Sequence, residues 1–468
     1  MNGTGSRRSW QGRRGGAVYL AAFALVLAAP ASFAPPAHAQ PREREQAQSA
    51  QHRVPVEEVV SPGGVRAWLV SDSTVPIIQL RAYWQGGGAL EPDEIVGATA
   101  IMADMLGEGA GAYDANAFKE RLEELHVTLS YAAGVDGVGL SLQTLSEHRD
   151  AAFDLVRLTL AEPRFDAEPL ARIKRQVAVS IRQRETNPSY IANLALDETL
   201  LGAHPYARRV SNESLARIDA GVLRERRAAL ITRANLRVTV VGDIDAATLA
   251  PLLDHMFGVL PDGHAMPEPA QATPAAPVPL IVRALPQPQS LILFAAPGIQ
   301  DEDPDFVPLA VANYILGGGG FSSRLMDEVR EKRGLVYGVS TGPAVYDRVA
   351  LVRGSAQTEN GDVGEALEVI RAELARLYAD GATQREVDDA IAYLTGAFAL
   401  SLDSNRNIAG VLHGYHVQGR GPDYVNQRND LIRAVTLADV NRVIRRLFNP
   451  DAFTFVVVGQ PSGLDAAD

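Results

Sequence analysis

The 468-residue chain contains no cysteine. That absence excludes disulfides, thiolate chemistry and a cysteine-borne lipid anchor. Basic segments are scarce as well. The chain has 44 Lys and Arg against 56 Asp and Glu, a formal net charge of -12, and no basic run beyond its first residues. Such a surface is a poor candidate for nucleic acid. Beyond residue 39 no apolar run approaches the roughly 20 residues needed to cross a bilayer, so no stable membrane insertion is expected. Histidine is sparse too. None of the nine stand at i and i+4, the spacing that turns two imidazoles toward one metal ion on a helix face. His413 and His416 are three apart on an expected helix over 405–418, without an acidic third partner nearby in sequence. They read as partly buried polar side chains.

The N-terminus is more informative. Arg7, Arg8, Arg13 and Arg14 precede an apolar run over residues 17–29, and small residues lead to Ala37-His38-Ala39. This is the pattern of a signal peptide cut after Ala39, with an apolar run too short to span a membrane. The stretch SRRSW at residues 6–10 loosely matches a twin-arginine signal, so both that route and general secretion stay open. Cleavage removes four arginines and no acid, leaving a still more acidic protein, expected in a periplasm or outside the cell.

Residues 40–52 are polar and read as a disordered leader. Residues 261–279, PDGHAMPEPAQATPAAPVP, read as an extended Pro/Ala-rich linker between domains at 53–260 and 280–468. The two domains resemble each other. NLRVTVVGD ends the first and DAFTFVVVGQ the second. Setting Gly242 on Gly459 also sets Ile218 on Val435, Leu223 on Val440, Leu230 on Leu447 and Val241 on Val458. Further upstream SLQT (141–144) answers SAQT (355–358). Shared apolar positions at a nearly fixed offset indicate a duplicated domain.

In the first half, period-2 runs predict strands at VEEVV and RAWLV around a Pro-Gly-Gly turn, at 77–84, twice within 127–145, and at 237–241. Helices are expected at 94–107, 115–125, 147–161, 167–186, 189–201 and 212–232. The implied fold is α+β, two duplicated domains, each an antiparallel sheet with helices packed on one face.

Residues 316–337, LGGGGFSSRLMDEVREKRGLVY, carry a specific resemblance. With the duplicated halves and the signal peptide, they resemble the insulinase/pitrilysin family of zinc peptidases, in the branch of the mitochondrial processing peptidase. Active members carry His-x-x-Glu-His on a first-domain helix. The two imidazoles bind Zn²⁺, the Glu activates its water, and a Glu on a later helix completes the coordination. In this chain the matching helix reads ATAIMADML, and the motif positions fall on Ala100, Ala103 and Asp104. The later ligand position falls on Ile181, and a neighbouring Glu of active members on Lys174. No metal and no cofactor are therefore expected in this chain.

The second half matches the family more fully. The resemblance implies that Arg330 binds a substrate backbone carbonyl. It likewise implies that the Tyr337 hydroxyl donates to the oxyanion forming on the scissile carbonyl. Ser322 or Ser323 is expected to cap a helix ending in Arg330 and Glu331, with Gly334 as its stop and Tyr337 opening a strand. Lys332 and Arg333 read as solvated helix-end charges. The run 317–320 lacks the Lys-Ser/Thr of a phosphate loop and reads as a turn for close backbone packing.

Three functions follow as expectations. The first is the non-zinc subunit of an exported heterodimeric peptidase. It would supply Arg330 and Tyr337 in trans to a zinc-bearing partner acting on unstructured peptides. The second is an inactive exported peptide-binding or scaffold protein of the same fold. The third is a peptidase using other metal ligands.

Overall fold

A computed structural model of the chain describes residues 53–264, 266–462 and 464. The expected signal peptide and leader lie outside the described residues.

The first half builds a six-stranded sheet from β1 (Glu57–Val60), β2 (Arg66–Ser71), β3 (Ile77–Gln85), β4 (Thr128–Ala133), β5 (Gly137–Leu145) and β6 (Leu236–Gly242), in the order β1-β2-β6-β3-β5-β4. The second half builds a five-stranded sheet from β7 (Ile281–Ala284), β8 (Gln289–Pro297), β9 (Val336–Tyr346), β10 (Val349–Glu359) and β11 (Thr454–Gly459), ordered β7-β11-β8-β10-β9. Alternation decides the faces. On β3, Ile78, Leu80, Ala82 and Trp84 are fully buried in the first core, while Gln79, Arg81, Tyr83 and Gln85 point the other way. Burying such a side chain contributes roughly 2 kcal/mol, which sets the register firmly.

The α+β class and the duplication hold, and the structure refines both. The sheets are mixed rather than purely antiparallel, because the last strand of each half returns through helices to lie parallel beside an early one, β6 along β2 and β11 along β7. The register that sets Gly242 on Gly459 also aligns three helix caps. Asp166 falls on Thr383, Asn187 on Ser404 and Asp219 on Thr436, each immediately before a helix.

Two helix expectations change. The span 212–232 is two helices, Asn212–Arg217 and Ala220–Leu230, because Ile218 is extended and the Asp219 side chain accepts from Val222 N–H to start the second. A helix outside the expected set, Ala246–Phe257, carries an internal Pro251 and is started by Asp245, which accepts from Thr248 N–H.

Helices cover one face of each sheet, and the other face is covered reciprocally. Helix Pro188–Leu201 of the first half packs on β8 and β11 of the second, and helix Asn405–Val417 of the second packs on β3 and β6 of the first. Ala192, Ala195 and Leu196 meet Leu351, Val456 and Val458 in one junction core; Ala409 and Leu412 meet Trp68, Val70 and Val241 in the other. The Pro/Ala-rich segment is pinned to this junction: Ala272 N–H donates to Arg348 O at 2.9 Å and Ala275 N–H to Leu200 O at 2.8 Å.

The two homologous hairpin tips also meet here. Asp136, in the β4–β5 turn, accepts from the Tyr206 hydroxyl at 2.5 Å and from Asp347 N–H, in the β9–β10 turn, at 3.2 Å. Burial and the neighbouring Asp136 push the Asp347 carboxyl up to about 6, and burial raises Asp136. An acid with a raised folded pKa contributes stability that is full below its unfolded value near 4 and is lost as pH rises through about 6. Asp347→Asn is therefore expected to raise the melting temperature at pH 7 and to leave it unchanged at pH 4. Since the Asp347 side chain reaches solvent, the gain is small, about 1–2 °C. Calorimetry of both proteins at the two pH values checks it, and an equal shift at both would remove the titration as its cause.

Candidate functional site

Helix Ala98–Leu106, which carries the positions matched to the zinc motif, is firmly mounted. Buried Glu91 accepts from Gly97 N–H at 2.7 Å and Thr99 N–H at 2.5 Å, satisfying donors that the helix start leaves unpaired. Arg208 and Arg226 grip the preceding loop, donating to the carbonyls of Ala89 and Glu91 and of Leu90. Ala100 and Asp104 lie one turn apart on the exposed side, and Ala103 is buried. The helix packs against Ala167–Arg184, which bears half-buried Ile181. The four positions thus present two methyls, one branched alkyl and one carboxylate.

That donor set does not fit zinc, which takes imidazole, thiolate and carboxylate in a near-tetrahedral shell. Asp104 is pushed up to about 6 by the protein around it, and secondarily by Glu108, although its side chain is open to solvent. Among the described residues no group of three His, Asp or Glu stands where it would hold a metal ion. Lys174 has a local task, donating to Ile218 O at 2.7 Å beyond helix Asn212–Arg217.

Arg330 and Tyr337 come together through two backbone irregularities. Helix Phe306–Asn313 widens into a π-helical turn at Tyr314–Gly318, where Gly319 N–H donates to Tyr314 O at 2.9 Å. A second π turn, Met326–Glu331, ends with Lys332 N–H donating to Asp327 O at 2.9 Å. π turns shift side chains off the ordinary helical register and are frequent at functional sites. Gly317 permits the close approach of the first of these turns to the β-strand that follows the second, since a Cβ there would stand 2.8 Å from Thr341 N.

Gly334, with φ +69°, turns the chain into β9 as expected. Neither serine caps the helix in the expected way: Ser323 Oγ donates back to Gly320 O at 2.7 Å. β9 then pairs Val336 with Thr358 and Gly338 with Gln357, leaving Tyr337 as the extra residue of a β-bulge. A bulge re-aims a side chain, and Tyr337 is 83% exposed. The Arg330 guanidinium lies between two rings, 4.7 Å from the centre of Phe321 and 5.3 Å from that of Tyr337. Its nearest carboxylate contact is Glu331 at 3.8 Å, so among the described residues its planar donors are committed to no hydrogen bond. A cation with free donors beside an exposed phenol is equipped to hold a peptide carbonyl and to stabilise charge on it.

Sequence reasoning missed two members of this cluster. Phe321, 59% exposed, forms the outer wall of the Arg330 slot. Glu328, 8% exposed, binds Lys332 and Arg333, which are not the free helix-end charges expected of them. An acid four residues before one cation and five before another was the available signal. Arg324 of the SSRL run is structural, gripping Glu386 at 2.6 and 2.9 Å.

His413 and His416 lie against the first sheet, both within 3.3 Å of Thr239 Oγ1, with His416 stacked on Trp68 at 4.1 Å. Burial, then the Arg81 charge, lowers His413 to about 3; burial, then Arg237, lowers His416 to about 4. Two neutral imidazoles packed under cationic arginines are junction residues.

The fold and its side chains thus define a duplicated α+β protein with an Arg/Tyr cluster and, among the described residues, no metal-binding donor set. Residues 217–394 match the family described as Peptidase M16 inactive domain. A Helicobacter pylori protein named non-peptidase homolog YmxG is 25% identical over 387 residues, covering 82% of this chain and 89% of that one. A Bacillus subtilis protein named uncharacterized zinc protease YmxG is 24% identical, covering 86% and 97%. The crystal structure of a peptidase M16 inactive domain from Pseudomonas fluorescens superposes with a TM-score of 0.82 at 28% identity, covering 88% of this chain and all of that one. Residues 217–394 thus match an M16 inactive domain, and the chain as a whole resembles insulinase-type M16 proteins of the inactive, non-zinc kind.

Proposed function

We propose that this chain is the non-zinc half of an exported, composite M16 peptidase. It supplies Arg330 and Tyr337 in trans to a homologous partner that bears His-x-x-Glu-His and zinc. Arg330 holds a backbone carbonyl of the peptide, and Tyr337 donates its hydroxyl proton in a hydrogen bond to the scissile carbonyl oxygen as charge builds on it. The first half, without metal donors, serves as wall. Substrates are unstructured peptides, which bind along a sheet edge through backbone hydrogen bonds.

The observation that carries this reading is the Arg330–Tyr337 cluster itself. Its donors are uncommitted and its phenol is 83% exposed on a bulge, an expensive arrangement for a packing role. Recovery of the tagged protein from its host's envelope fraction is expected to bring down, in equal amount, a chain of similar size carrying His-x-x-Glu-His.

A second reading, an inactive peptide-binding or scaffold protein of the same compartment, draws on the exposed rings of Phe321 and Tyr337, which suit contact without chemistry. Recovery of the chain alone, or only with itself, favours this second reading and counts against the first.

A further inference from the structure

We infer that Glu328 is a positioning residue for the Arg330–Tyr337 pair, its buried carboxylate clamping the turn that sets the spacing and aim of those two side chains. The inference rests on the reading of that pair as a transition-state half-site.

Glu328 and Arg330 leave the same π-helical turn in different directions. Glu328 points inward at 8% exposure, whereas Arg330 reaches the slot between Phe321 and Tyr337. One carboxylate oxygen of Glu328 accepts from Lys332 Nζ at 2.6 Å, and the other accepts from Arg333 Nη1 at 2.7 Å. The same Arg333 nitrogen also donates to the Glu328 backbone carbonyl at 2.7 Å. Arg376, from helix Val363–Asp380, stands 3.6 Å from the first oxygen and brings a third cation from a separate element.

The chain between the two functional residues is consequently tied at successive points. Glu328 holds Lys332 and Arg333. Gly334 N–H donates to Arg330 O at 2.8 Å and Leu335 N–H to Val329 O at 3.0 Å. The Thr358 hydroxyl donates to Leu335 O at 2.6 Å, and the bulge at Tyr337 follows directly. Lys332 also pairs with Asp327 of the same turn at 2.8 Å, but that contact is half exposed and leaves Arg333 untouched; only the buried Glu328 carboxylate holds both cations. Without it, Arg333 loses its carboxylate partner beside a glycine of positive φ.

A carboxylate this buried is costly unless its oxygens are fully bonded, and surface ion pairs contribute little on their own. Its ion pairs hold it down to about 2, so the clamp stays closed across the pH range of peptide hydrolysis. Misplacing a reacting group by about 1 Å costs on the order of a hundredfold in rate.

The test uses Glu328→Gln, which keeps the shape and loses the charge. In the complex with the copurified zinc-bearing chain, kcat on an unstructured peptide is expected to fall ten- to a hundredfold, with a rise in KM from the displaced Arg330. Added to the double variant Arg330→Ala and Tyr337→Phe, it is expected to cause no further loss. Removing the cations instead, with Lys332→Met and Arg333→Met together, is expected to reproduce the effect and carries the test if Glu328→Gln does not fold.

A second arm needs no partner. In the isolated chain labelled with 3-fluorotyrosine, the Tyr337 fluorine resonance, assigned through Tyr337→Phe, is expected to move toward that of the free amino acid in Glu328→Gln. A merely stabilising role for Glu328 would lower the melting temperature and leave both the resonance and kcat in place, overturning the inference. If Glu328→Gln keeps kcat within twofold while Tyr337→Phe lowers it, the clamp fails and the half-site reading survives. Normal turnover in both Arg330→Ala and Tyr337→Phe removes the half-site reading and the clamp with it.

Discussion

A Tyr337→Phe chain is expected to assemble with its zinc-bearing relative as well as the native chain does, and to turn over peptide roughly a hundredfold more slowly. The substitution removes one oxygen from a ring that is 83% exposed, so neither folding nor packing has much to lose. Its effect falls on the step in which negative charge accumulates on the carbonyl oxygen. A lost oxyanion donor raises that barrier by about 3 kcal/mol, which corresponds to a hundredfold at about 1.4 kcal/mol per tenfold.

In the proposed role the phenol acts on developing charge rather than on bound peptide, so kcat should carry the loss and KM should stay close to native. Arg330→Ala is expected to differ. In the proposed role the guanidinium binds a carbonyl already present in the ground state, so its removal should raise KM as well as lower kcat. Arg330→Lys should rescue little, since an ammonium lacks the planar donors that fit between the Phe321 and Tyr337 rings. Steady-state kinetics of the reconstituted pair, with gel filtration as the assembly control, decide this. Turnover within threefold of native in both variants would sink the assignment.

The second large effect is a gain. Ala100→His, Ala103→Glu, Asp104→His and Ile181→Glu together are expected to give the isolated chain one tightly held zinc ion, where the native chain holds none after dialysis. The reason is the mounting of the helix. Glu91, Arg208 and Arg226 still fix Ala98–Leu106, and Ala167–Arg184 still packs beside it. Positions 100 and 104 share one helix face and position 181 sits on the neighbouring packed helix, so the substitutions supply the donor atoms on elements already mounted together.

Two imidazoles and a carboxylate held this way should bind with a Kd of about 1 µM or tighter, roughly 8 kcal/mol. The apo variant should be less stable than native, because position 103 is buried and a glutamate there is desolvated without a partner. Zinc at a hundredfold excess over Kd should return roughly 2.7 kcal/mol of that loss, and chelator should remove it again. Elemental analysis after gel filtration and melting curves with and without chelator provide the readout. A folded variant that retains no zinc would mean that the two helices do not hold the family's geometry.

Some of this protein was legible in its residues alone. Strand alternation such as Ile78, Leu80, Ala82 and Trp84 is a local record of a buried face, so the α+β class and the repeat could be read from it. The loss of metal chemistry was legible for a similar reason, since ligand atoms belong to residue types and Ala100, Ala103 and Ile181 carry none. The placement of Arg330 and Tyr337 was legible only in outline. Their spacing and the glycine stop were visible, but the two π turns and the bulge depend on hydrogen bonds to partners such as Thr358 and Gln357 on the neighbouring strand.

Lys332 and Arg333 show the same limit. As charges at a helix end they look solvated, and only the folded turn brings both onto the buried Glu328 carboxylate. The exchange of helices was beyond local reading altogether. Ala192 and Ala409 look like ordinary helix residues, and nothing near them says that each covers the sheet of the other half. What the sequence determined by itself, then, is chemistry and periodicity: which atoms exist to bind a metal, which residues recur, and which faces are apolar. What only the tertiary structure decided is aim and contact, because those follow from hydrogen bonds and packing between residues far apart in the chain.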